Sequence, residues 1–211
     1  MGDKNMVCIL VTGIPASGKS FFSRYLADYL NIPCISKDNI KERLFDTVGF
    51  KSRAEKVGLN EAATEEMLYF AEALMKHKDC FILECNFEKE SKRQVSGLIA
   101  KYKYRCITVF MSGDHKAIYE RFVRRNEFGD RHPRHIVNDY YPREVQKSDF
   151  DAISFESFER EIKTRGMDDF EIGDSYFRVD TTNIEKVDWE AKAAEIKDAM
   201  AGYLSNGKGK S

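Results

Sequence analysis

Met6-Val-Cys-Ile-Leu-Val-Thr12 runs directly into Gly13-Ile-Pro-Ala-Ser-Gly18-Lys19-Ser20, and the reading of this stretch decides the fold. A continuous apolar run bounded by glycine is the pattern of a strand buried on both faces of a parallel sheet. The eight residues that follow match G-x-x-x-x-G-K-[ST] in full. Glycines at both ends let a backbone curl around an anion, in conformations that a side chain would forbid. The loop N–H groups and the N-terminus of the next helix then point donors and a positive dipole end at phosphates. In such a loop the lysine reaches the β- and γ-phosphates and the hydroxyl ligates magnesium. Chance matches are expected in roughly one chain of this length per hundred. Here the context fits as well, since Phe21, Phe22, Tyr25, Leu26 and Tyr29 follow at helical spacing and stop at Asn31 and Pro33. Gly13, Ile14, Pro15, Ala16, Ser17, Gly18, Lys19 and Ser20 are therefore expected to bind ATP, with Ser20 as the magnesium ligand.

The rest of the chain alternates between the same two patterns. Strands are expected at 32–36, 80–84, 105–111 and 176–179, and helices at 38–46, 61–77, 88–102, 114–126 and 188–204. This predicts a three-layer α/β P-loop NTPase fold, a parallel sheet of about five strands with helices on both faces and right-handed crossovers. The strand before Asp38 is expected beside the strand that carries the P-loop. One domain spans 1–204, with a lid at about 114–135 and an irregular insertion at about 128–172, where charged and aromatic residues break the alternation. The Gly/Lys/Ser-rich tail, 205–211, is expected to be disordered.

Composition removes several classes of function. Of 211 residues, 34 are basic and 35 acidic, so no global basic surface for nucleic acid exists. The five cysteines, Cys8, Cys34, Cys80, Cys85 and Cys106, make no C-x-x-C pair and are read as buried hydrophobes in a reducing compartment. The N-terminal apolar run is too short to span a bilayer and no A-x-A-like cleavage site follows, so a cytoplasmic protein that does not engage membranes is expected. Asp46-Thr-Val-Gly49 matches the D-x-x-G of GTPase switches, but it follows a charged helical stretch and no N-K-x-D accompanies it. It is read as a helix end with its glycine.

Four segments, GIPASGKS, ISKDNIKERLF, FILECNF and IYERFVRR, carry a resemblance to the small P-loop kinases. Within these the chain is similar to the group related to polynucleotide kinase, zeta toxins and chloramphenicol phosphotransferase. The resemblance covers about residues 6–126. It implies that Asp38, at the exit of the second strand, faces the acceptor hydroxyl as general base. It also implies that the basic residue three positions on, here Lys41 where relatives commonly have Arg, holds the acceptor, with Arg43 as a substitute. Asp38 is alternatively the N-cap of its helix. Glu84, at the end of the third strand, either orients a magnesium-bound water, contacts the acceptor, or is a solvated strand-end acid.

Arg121 and Arg125 lie four apart on one helix face, with Arg124 adjacent and Arg131 and Arg134 beyond. Arginine stabilises the charge that phosphoryl transfer spreads over the moving oxygens. The resemblance places lid arginines here, so Arg121 and Arg125 are expected to be catalytic beside Lys19 and Asp38. His132 and His135 have metal-pair spacing but no convincing third ligand. Phe128, Tyr140 and Tyr141 either stack on an acceptor or pack the lid, and Asp180-Thr181-Thr182 falls where relatives cradle adenine. The expected reaction is transfer of the ATP γ-phosphate to a hydroxyl acceptor. The alternatives are a P-loop hydrolase and an ATP-binding module without transfer. Because the basic cluster 116–134 is assigned to ATP and 149–174 is acid-rich, a small acceptor is favoured over a nucleic acid.

Overall fold

The computed structural model describes residues 6–127, 132, 135–144, 146, 150 and 153–206. Five parallel strands form one sheet: β1 (Val7–Gly13), β2 (Cys34–Ser36), β3 (Phe81–Glu84), β4 (Arg105–Ser112) and β5 (Ser175–Asp180). Seven α-helices connect them among the described residues: α1 (Lys19–Leu30), α2 (Lys37–Thr47), α3 (Arg53–His77), α4 (Lys89–Tyr102), α5 (His115–Glu127), α6 (Phe155–Arg165) and α7 (Trp189–Asn206).

The central strand shows why the apolar runs are continuous. Cys8 and Leu10 of β1 face one core with Met67, Ala71 and Met75 of α3 and Val95 of α4. Val7, Ile9 and Val11 face the other, with Phe22 and Leu26 of α1 and Ala193, Ile196 and Met200 of α7. Alternate residues thus serve opposite layers, and the buried Thr12 is accommodated because its hydroxyl donates to Asn86 O. The cysteines are free; Cys8, Cys85 and Cys106 are buried in the first core, whereas Cys34 and Cys80 are only partly buried, which corrects the expectation that all five are buried.

The sheet order is β2-β3-β1-β4-β5. This corrects the expectation that β2 lies beside the P-loop strand. Cys34 pairs with Ile82 and Ser36 with Glu84, so β3 stands between β2 and β1. The physical reason is burial: Phe81–Glu84 is buried throughout and takes the inner position, whereas β2, only partly buried at Cys34 and Ile35, forms the edge.

Two helices depart from the sequence reading. α3 begins at Arg53 rather than near 61, because Ser52 caps it, accepting from Glu55 N at 3.2 Å. Ser52-x-x-Glu55 is a capping-box signature that the apolar periodicity alone hides. The stretch 128–172 contains a regular helix, α6, started by Ser154 and stopped by Gly166 at φ 66°. Phe158 and Ile162 of α6 pack on Ile118 of α5 and on Ile14 of the P-loop. Beyond it, Phe170 enters the main core 5.3 Å from Phe87. The second half of this stretch thus contributes Phe158, Ile162, Met167 and Phe170 to the buried clusters. At the C-terminus α7 runs to Asn206; residues 207–211 lie outside the described residues. Among the described residues no helix is long and apolar enough to cross a membrane.

Candidate active site

The P-loop sits at the carboxyl end of β1, where an open parallel sheet binds ligands. Gly13 has φ 136° and a Cβ there would lie 2.1 Å from Met111 O, so only glycine fits. Lys19, 7% exposed, folds back to donate from Nζ to Ile14 O at 2.8 Å, inside the curl of the loop. Burial lowers its pKa, opposed by Glu84 and Asp38. Ser17 is buried beside Gly13, and its Oγ has no hydrogen-bond partner among the described residues. An orphaned hydroxyl, a buried lysine and curled N–H groups form a cradle suited to a polyphosphate.

Glu84, 1% exposed, ends β3 beside this cradle. Its Oε1 accepts from Ser20 Oγ at 3.3 Å and its Oε2 from Ser36 Oγ at 2.5 Å. Burial raises its pKa; the Lys19 ammonium pulls the other way. Glu84 is thus a buried, hydrogen-bonded acid against the P-loop serine, and the solvated strand-end reading fails. Its placement suits magnesium, which prefers one or two protein oxygens, phosphate oxygens and water.

Asp38 stands in the first turn of α2 and does not cap it; Ser36 does, accepting from Asn39 N at 3.5 Å. Ser36 precedes the first helical residue, and the cap falls there because the chain leaves β2 at that point. The carboxylate of Asp38 is half-exposed and takes a 2.7 Å ion pair from Lys41 Nζ. Lys41 is therefore held on Asp38, and Arg43 is exposed.

Arg121 and Arg125 have separate surroundings. Arg121 donates to Ala16 O at 3.4 Å, to Thr182 O at 3.0 Å and to Thr181 Oγ1 at 3.5 Å. It joins the P-loop to the segment after β5, where Asp180 Oδ1 accepts from Thr182 N at 2.8 Å and Ile184 packs near Gly18. Burial lowers the pKa of Arg125, opposed by the nearby carboxylates of Asp38, Glu42 and Glu84. Its Nε is buried without a hydrogen-bond partner among the described residues. Arg124 is exposed; Arg131, Arg134 and Phe128 lie outside the described residues.

A short segment after α5 folds onto α2 and α3. His135 Nε2 contacts Glu42 Oε1 at 2.9 Å, holding that carboxyl below its ordinary range. Lys56 Nζ donates to Val137 O and, at 3.1 Å, to Asn138 Oδ1. Tyr141 pairs with Phe50 across an antiparallel bridge and stacks on its ring, so it packs against the junction of α2 and α3, while Tyr140 is exposed. Among the described residues no group of three His, Cys, Asp or Glu side chains is placed to hold a metal ion. Gly49, at φ 71° and bonded to Phe45 O, ends α2, as the helix-end reading of D-x-x-G required. The sequence reading missed Ser36 and the Glu42–His135 contact. A Ser-x-x-Asn at a strand exit signals a cap, but no local pattern connects positions 42 and 135.

The sheet, the P-loop and the acid beside it define a P-loop kinase-like α/β protein. The chain belongs to the AAA_33 family, described as an AAA domain, whose profile matches residues 8–141. A solved candidate kinase from Chloroflexus aurantiacus j-10-fl is similar at 24% identity and TM-score 0.74, covering 95% of this chain and 99% of that one. A gluconokinase from Sinorhizobium meliloti 1021 is similar at 13% identity and TM-score 0.52, covering 97% of each chain. A shikimate kinase from Bacteroides thetaiotaomicron gives 15% identity and TM-score 0.51, covering 93% and 99%. No curated protein matches the chain.

Proposed function

We propose that the chain is an ATP-dependent phosphotransferase that moves the γ-phosphate of ATP to a hydroxyl of a small acceptor. The observation that carries this reading is the convergence of Lys19, Glu84, Asp38 and Arg125 at the mouth of the phosphate loop, each within electrostatic reach of at least two others. A protein that only held nucleotide would need the loop and Lys19. It would not need a carboxylate on the opposing helix, nor a half-buried guanidinium with an unused donor.

In this reading Gly13 to Ser20 bind the polyphosphate of ATP, and Lys19 leaves Ile14 O to pair with phosphate oxygens. Magnesium, when bound, neutralises phosphate charge; Ser20 would ligate it and Glu84 would order its water shell. Asp38 accepts the acceptor's proton as general base, oriented by Lys41. Arg125 donates to the oxygens on which charge develops. Arg121 fixes Thr181 and Thr182 against the P-loop, on the side where the base of ATP would rest.

Charge supports a small acceptor. On the α2 and α3 side, Lys41 is held by Asp38, Lys56 by backbone oxygens and Asn138, Arg53 by Asn138, and Arg143 by Asp139. These cations already serve the protein's own oxygens, and Asp38, Glu42 and Asp46 lie among them. A polyphosphate strand would meet acids there.

The test is transfer of labelled phosphate from ATP to a panel of sugars, polyols and nucleosides. Magnesium-dependent transfer is expected, reduced by about three orders of magnitude or more in Lys19→Ala at an unchanged melting temperature. ATP hydrolysis of equal rate with and without every acceptor would instead make the chain a hydrolase.

A further inference from the structure

Ser36 occupies the one position where the edge strand, the helix of the proposed base and the buried acid of the central sheet meet. It ends β2, its Oγ accepts from Asn39 N as the cap of α2, and the same Oγ donates to Glu84 Oε2 at 2.5 Å. It is 8% exposed. The register that sets Ser36 opposite Glu84 also turns Oε1 of Glu84 toward Ser20 Oγ, 3.3 Å away. One carboxylate oxygen is thus anchored by Ser36, and the other is presented to the P-loop.

We infer that Ser36 is a positioning residue for the magnesium side of the site, holding Glu84 so that Oε1 serves the Ser20 hydroxyl and the water shell beside it. This rests on the phosphotransferase reading and extends it to a residue outside the P-loop and outside the base and lid positions. A buried carboxylate with a single anchoring donor can rotate about its last two torsions; a second donor on the far oxygen removes that freedom. The bond crosses from β2 to β3, so it also fixes where α2, and with it Asp38, begins. No bond is made or broken at Ser36.

The helix cap is the competing role, and glycine separates the two. Glycine caps a helix nearly as well as serine but has no hydroxyl to donate. ADP binding is measured by calorimetry with and without magnesium, in wild type, Ser36→Gly and Ser36→Thr. In Ser36→Gly the gain in ADP affinity that magnesium gives is expected to fall about tenfold, the loss of one hydrogen bond to a charged group. Metal-free ADP affinity should stay within about twofold, as an intact cap requires. Ser36→Thr should restore the magnesium gain. In a Glu84→Gln background the glycine change should have no further effect, because Ser36 acts through that carboxylate. A full magnesium gain in Ser36→Gly, or an equal loss with and without the metal, would overturn the inference and leave Ser36 a cap. If Ser36→Gly does not fold, Ser36→Ala against Ser36→Thr reads the same ratio. Wild-type ADP binding indifferent to magnesium would overturn the phosphotransferase reading itself.

Discussion

At Asp38 the proposed chemistry depends on one half-exposed carboxylate held 2.7 Å from Lys41 Nζ. Asp38→Asn keeps the size and one acceptor oxygen but cannot take a proton. Transfer should fall by about 10²–10⁴, the range for a lost general base, while ATP affinity is unchanged. Near-normal transfer in this variant would reduce Asp38 to an anchor for Lys41. The lid arginines separate by the same logic. Arg125, with its unused buried Nε, should act in the transition state, so Arg125→Ala lowers kcat with little change in KM for ATP. Arg121 holds Ala16 O and Thr182 O on both sides of the nucleotide cradle, so Arg121→Ala should raise KM for ATP more than it lowers kcat. Steady-state kinetics over ATP concentration decides between these outcomes. At this scale the positions of Lys19 and Asp38 follow from local patterns, each just after a strand, whereas Ser36 acquires its partner only across the sheet.

Among the elements, α3 and α4 are linked at the surface by Glu72, which accepts from Lys101 Nζ at 2.7 Å and from the Tyr102 hydroxyl at 2.6 Å. These donors hold its carboxyl down from an ordinary 4.5 to about 2. A depressed carboxyl stabilises the fold above its unfolded value and loses that contribution as pH falls through the folded one. Glu72→Gln should therefore lower the melting temperature slightly at neutral pH. The difference from wild type should shrink below about 4.5, vanish near 2, and diminish in high salt at any pH. The junction of α5 and α6 combines a polar contact, His115 Nδ1 to Glu159 Oε1 at 3.2 Å, with a buried apolar cluster. Phe158, buried against Ile118, Ile14 and Phe122, should cost about 3–5 kcal/mol as Phe158→Ala, measured by urea unfolding. The periodicity of Phe155, Phe158 and Ile162 lay in the sequence, but the surrounding charges masked it, and α6 becomes recognisable once α5 supplies the partner face.

For the whole molecule, 34 basic and 35 acidic side chains leave no net field to gather a polyanion. Oligonucleotide binding at physiological salt should be weaker than about 1 μM, with a log–log salt slope corresponding to fewer than about four phosphate contacts. Fluorescence anisotropy between low and physiological salt measures both quantities. Sub-micromolar binding with a steeper slope would move the acceptor from small molecules to nucleic-acid ends. The sheet that carries the site sits between two apolar layers, so these surface charges bear on partners and not on the fold.

The sequence by itself determined the α/β class, the five strands, the P-loop and the absence of a disulfide framework. Each of these is written in a local pattern: strand runs by two-sided burial, the loop by glycine spacing, the cysteines by their apolar neighbours. Only the tertiary structure decided that β3 separates β2 from β1, since neighbours in a parallel sheet are chosen by crossover connections and relative burial, which no local window contains. The same placement put Glu84 between Ser20 and Ser36 and gave Arg121 and Arg125, one helical turn apart, different surroundings: the carbonyls of Ala16 and Thr182 for Arg121, and the charges of Asp38, Glu42 and Glu84 near Arg125. Residues four apart on a helix share a face, but what that face meets depends on elements more than forty residues away in the chain.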